Sequence, residues 1–70
     1  MYLTKNDILK QLDEQGSDCA MDIGVSIAQM DSVEAEETWE NVAQATKEFF
    51  HKDEYEIKDF FMEVEEYADK

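Results

Sequence analysis

The chain has no proline and no arginine, a single cysteine, a single histidine and two glycines in 70 residues. With Cys19 alone an internal disulfide is impossible, and such a chain suits a reducing cytosol. One cysteine and one histidine cannot build a zinc cluster either. Six lysines stand against nineteen acids. No basic patch is available to neutralise phosphates, so nucleic acid is excluded as a direct ligand and an anionic membrane surface is disfavoured. No apolar run nears the ~20 residues of a membrane-spanning helix. The N-terminus lacks the charged, apolar and small-residue succession of a signal peptide. Without proline, repeats or a linker-like stretch, the expectation is one small acidic domain over residues 1–70, soluble and cytoplasmic.

What is present is a core-forming set and a field of one sign. Apolar residues make up 43% of the chain, with Trp39, four phenylalanines and three tyrosines, which is not the composition of a disordered tail. The net charge is -13. Between Lys10 and Lys47 there is no basic residue but nine acids: Asp13, Glu14, Asp18, Asp22, Asp31, Glu34, Glu36, Glu37 and Glu40. A field of this kind repels nucleic acid and attracts basic partners. The plainer explanation is solubility, or life in high salt.

Periodicity predicts helices. Thr4 with Asp7 three residues on forms a weak capping-box match, and Leu3 and Ile8 sit at staple positions around it. Ile8, Leu9 and Leu12 make a buried stripe, and Gly16 is placed to end the helix. The stretch "SDCAMDIGVSIAQM" is ambiguous. Ala20, Ile23, Gly24 and Ile27 share a helix face, whereas Met21, Ile23, Val25 and Ile27 alternate as in a strand. A strand finds no second partner within the chain and would call for pairing with another copy in a homodimer, so a short buried helix is favoured. Asp31 with Glu34 opens a third helix whose stripe is Ala35, Trp39, Val42, Ala43, Thr46, Phe49 and Phe50. A fourth starts near Asp53, with Ile57, Phe60, Phe61, Val64, Tyr67 and Ala68 inward. The expected architecture is an all-α bundle of three to four helices, over about residues 5–15, 19–29, 32–50 and 54–68, with 20–28 the one stretch where a strand is the alternative. Trp39, Phe49, Phe60 and Phe61 are expected at the centre of the core.

Catalytic chemistry finds little support. His51 and Cys19 fall in different segments, and a nucleophilic pair requires contact in space. Nineteen acids in so short a chain produce close carboxylates by chance, while a catalytic one needs a cleft that shifts its pKa. "DEQGSD" lacks the spacing and the terminal glutamate of a calcium loop. No enzyme activity, cofactor or metal is expected. "ILKQLDEQGS" and the apolar segment after it resemble the opening of a helix-turn-helix domain over roughly the first 30 residues. The would-be second helix, however, carries Asp18 and Asp22 and no basic residue, so the shape would survive only as a scaffold.

The acids themselves remain as a working surface. Glu56, Asp59, Glu63 and Glu66 recur at spacings of three and four, Glu34, Glu37 and Glu48 do much the same along one face of the third helix, and like charges three or four apart weaken a helix by a few tenths of a kcal/mol per pair. Lys52 and Lys58 relieve only part of this. Two such helices side by side would form a ladder of negative charge. In composition the chain resembles the small acidic DNA-mimic inhibitors that phages and mobile elements direct against host DNA-binding or defence proteins. That resemblance implies a basic, nucleic-acid-binding protein as partner. The surface expected to bind it comprises Glu34, Glu36, Glu37 and Glu40 on the third helix and Glu56, Asp59, Glu63 and Glu66 on the fourth, with Tyr55 as an exposed aromatic anchor and Tyr2 in a similar role. Tyr55 could equally pack on the turn before its helix. The alternatives are an immunity-type or regulatory module that binds one basic protein without imitating nucleic acid, and a structural domain with no dedicated site.

Overall fold

Residues 5–15 form α1 (Lys5–Gln15) because both of its ends are specified locally. Thr4 is extended, its backbone N–H donates to Asp7 Oδ2 at 3.1 Å, and the Asp7 N–H donates back to Thr4 Oγ1 at 3.2 Å. The bond from the Thr4 N–H and, after it, the Thr4 hydroxyl hold the Asp7 carboxyl below its usual pKa. Gly16 ends the helix at φ 61, a conformation that costs glycine nothing. A computed structural model describes residues 2–51 and 54–69. After a 3-10 turn (Gly16–Cys19) the chain continues into α2 (Ala20–Ala28), α3 (Ser32–Phe49) and α4 (Glu54–Ala68). The fold is a small all-α bundle, with no strand among the described residues. Its radius of gyration is 10.8 Å, close to the ~11 Å of a compact chain of this length.

The ambiguous segment is helical, and burial shows why. Ala20, Ile23, Gly24 and Ile27 point inward together, while Met21 is 54% and Val25 42% exposed. The alternating pattern would have put all of Met21, Ile23, Val25 and Ile27 on one side. Gly24 sits where α2 meets α4. A Cβ built on it would lie 2.4 Å from Tyr67 Cβ and 3.2 Å from the Val64 carbonyl oxygen. The helix penalty of glycine, roughly 1 kcal/mol, is offset by the close approach it permits.

Asp31 caps α3, accepting from the Glu34 N–H at 2.9 Å. The buried side of α3 differs from the apolar stripe of the sequence. Thr38, Val42, Ala45, Thr46 and Phe50 are buried; Ala35, Trp39 and Ala43 are only half-buried. Phe49, expected at the centre of the core, is 37% exposed and meets Phe50 edge-on at 4.9 Å. The rotation follows from what α3 packs on. Its main contact is α1, and Val42 and Ala45 join Ile8 and Leu12 in one buried cluster. The buried hydroxyls are satisfied: Thr46 Oγ1 donates to the Val42 carbonyl, and Thr38 Oγ1 to Met30 Sδ at 3.2 Å. Asn41 Nδ2 donates to the Leu3 carbonyl at 2.9 Å and ties the N-terminal segment to the same helix.

α4 packs chiefly on α2 and less on α3. Phe60 is buried and its ring lies 5.9 Å from Phe50, while Phe61 stacks on Trp39 at 5.5 Å. Consecutive residues of α4 thus reach points about 16 Å apart on α3 at 1.5 Å per residue, so α4 crosses α3 rather than running along it. Asp53, near which the helix is expected to start, lies outside the described residues.

Two outcomes are expected in urea unfolding followed by circular dichroism. Gly24→Ala should destabilise by about 1–3 kcal/mol, because overpacking outweighs the gain in helix propensity; a midpoint at or above that of the parent would mean that α2 and α4 do not touch there. Phe60→Ala should cost about 3–5 kcal/mol, and Phe49→Ala much less.

Candidate partner-binding surface

Glu56, Asp59, Glu63 and Glu66 are exposed on α4. At 3.6 residues per turn they fall within an arc of about 80°. Phe61, which stacks on Trp39 of α3, stands about half a turn from the middle of that arc. The acidic row therefore faces away from α3. Its neighbours are the 3-10 turn and the start of α2. One concavity holds Glu63 and Glu66 together with Ser17, Asp18, Ala20 and Met21, and a second holds Glu56, Asp59 and Glu63 with Ser17. Asp18 thereby joins the row. Among the described residues no lysine lines either concavity.

The acids of α3 occupy a different side of the molecule. Glu36, Glu37 and Glu40 are exposed, but Lys47 follows Glu40 by two turns and stands in line with it. Lys5 Nζ also lies 3.1 Å from Glu48 Oε1. Glu34 is half-buried and lines a separate concavity with Tyr2, Asp7 and Met30. Of the residues singled out from the sequence, the structure gathers Glu56, Asp59, Glu63 and Glu66 and adds Asp18. It leaves the α3 acids apart, so the ladder of two adjacent acidic helices is not formed. Tyr55 lies in α4, with its side chain outside the described residues; Tyr2 is 41% exposed. Asp18 was legible only as one member of the long lysine-free interval, since nothing local links it to α4.

Part of this acidity has a structural cause. Glu63 and Glu66 sit beside the first turn of α2, where the positive end of the helix dipole favours negative charge. Asp7 accepts from the N–H of the capping residue Thr4, and Asp31 caps α3. The α4 row as a whole, from Glu56 to Glu66, extends beyond what one helix end can balance, because the dipole falls off within a turn.

Cys19 is fully buried, its Sγ lies 3.1 Å from the Gly16 carbonyl oxygen, and burial pushes its pKa up. A thiol so placed packs as a small apolar group. His51 is exposed after α3, with Nδ1 3.1 Å from the Glu48 carbonyl oxygen, where a protonated Nδ1 donates to the end of the helix. Among the described residues no three His, Cys, Asp or Glu side chains converge as they would around a metal ion, and no helix is long and apolar enough to cross a membrane.

Cys19 should react slowly with a thiol-specific disulfide reagent in the native protein at mildly alkaline pH, and rapidly once urea unfolds it, because only the thiolate attacks. Equal rates in both states would place the thiol at the surface.

No protein-family model, no curated protein and no solved structure matches this chain, so the functional argument rests on the surface itself.

Proposed function

We propose that this protein is an acidic inhibitor or regulator that binds a basic, nucleic-acid-binding protein through the exposed flank of α4. The observation that carries the reading is the gathering of Glu56, Asp59, Glu63, Glu66 and Asp18 around concavities that, among the described residues, no lysine lines. Opposite charge steers such a partner in and suppresses wrong ones. A face selected for solubility alone would gain nothing by holding its carboxylates so close to one another.

The spacing says what kind of groove such a row could occupy. From Glu56 to Glu66 α4 rises about 15 Å, which gives one charge per ~5 Å. A single strand of B-DNA carries one per ~3.4 Å and the duplex one per ~1.7 Å of axis. The row thus approaches one strand in charge density and falls well short of a duplex. Mimicry, in this reading, is of a single phosphate track, with the protein taking the place of a strand on the basic partner.

The test compares two double reversals. Glu63→Lys with Glu66→Lys and Asp13→Lys with Glu14→Lys change net charge equally, the second pair lying on α1. Once both proteins are shown by circular dichroism to be folded, the α4 pair should lose orders of magnitude in affinity for a captured basic partner, and the α1 pair much less. If both behave alike, total charge rather than the α4 flank governs binding. Gel-shift competition addresses mimicry: DNA and this protein should exclude one another, and a ternary complex would leave an ordinary binding module.

A further inference from the structure

The exposed side of α4 is not uniformly charged. Met62 is 59% exposed and stands between two concavities. One is walled by Asp59, Glu63, Glu65, Glu66 and Asp69. The other runs over Ile57 and Phe61, edged by Lys58 and Glu65. Ile57 and Phe61 are half-buried, and the Phe61 ring is backed by Trp39. The result is a shallow, open apolar trough along one side of α4, with a flexible methionine on its lip and the carboxylates of Glu65, Glu66 and Asp69 beyond.

We infer that this trough seats an amphipathic basic helix of the partner, whose apolar side chains at one-turn spacing lie over Ile57, Phe61 and Met62 while its lysines or arginines reach Glu65, Glu66 and Asp69 on the Met62 side of α4. The inference rests on the reading of α4 as the partner-binding element and adds how the partner is held. Helix-in-groove recognition uses anchors at this spacing, and methionine adapts to the shape of what it meets. Charge selects the occupant. A second copy of this chain, at net charge -13, would set its own carboxylates against Glu65, Glu66 and Asp69. A neutral apolar helix would desolvate those carboxylates without a counter-charge, which is costly. A bare phosphate track has no apolar centre, so the trough favours a peptide-like grip over strict mimicry.

The experiment titrates the full chain with two synthetic peptides of equal length, composition and net positive charge, built from leucine and lysine. In one the leucines form a single helical stripe; in the other they are scattered. Trp39 is the only tryptophan, so its emission reports on the trough. The striped peptide should bind at least about tenfold more tightly, shift the Trp39 emission and keep measurable binding at high salt, since apolar contact is not screened. Met62→Ser should cut that preference to near unity without moving the melting temperature, because the side chain is exposed. If both peptides bind alike and salt releases both, charge alone operates: the inference falls and the acidic-surface reading stands. If neither binds, both fall. A dimer of the chain alone in sedimentation, lost on Met62→Ser, would assign the trough to a second copy and overturn the inference.

Discussion

The seating of α4 on α2 governs the rest of the molecule. Gly24 leaves no room for a Cβ between the two backbones, so α4 settles at a depth and rotation that any larger residue would alter. That rotation buries Phe60 and Val64, turns Phe61 towards Trp39 and directs Glu56, Asp59, Glu63 and Glu66 away from α3. Because i and i+3 or i+4 positions are rigidly related on a helix, the acidic row and the apolar trough are two consequences of one contact. Shifting α4 outward would loosen the core and reposition both surfaces together.

The acids divide by what surrounds them. Asp7 and Asp31 satisfy backbone N–H groups at helix starts. Glu48 faces Lys5 at an exposed site, where such a pair adds little to stability. Glu63 and Glu66 border the first turn of α2. Asp59, Glu65 and Asp69 line the exposed side of α4, and with so few lysines their mutual repulsion works against a small core. A chain this short has little stability to spare, and so the persistence of that row on α4 is what a binding function would explain.

Much of the architecture was legible from the sequence because it is written in local terms. The Thr4–Asp7 pair, Gly16 and the 3.6-residue stripes of α1 and α4 depend on neighbours within a turn or two, and these elements fall where such signals place them. For residues 20–28, periodicity allowed helix or strand, and the shortage of a partner strand decided correctly for helix. Phe49 and Trp39 were harder. A stripe marks the apolar side of a helix, but not which residues within it meet a neighbour, and in α3 the polar Thr38 and small Ala45 lie deeper than either aromatic.

By itself the sequence determined the helical class, the excess negative charge, the lack of a phosphate-binding basic patch and the candidate row on α4, because composition and short-range spacing contain all of these. Only the tertiary structure decided that the acids of α3 and α4 lie apart, that Asp18 joins Glu63 and Glu66, and that Met62 stands at the lip of an apolar trough. Each of these depends on which helix packs on which and at what angle. Those choices are made by contacts between residues far apart in the chain, such as Gly24 with Tyr67 and Trp39 with Phe61, and no local pattern records them.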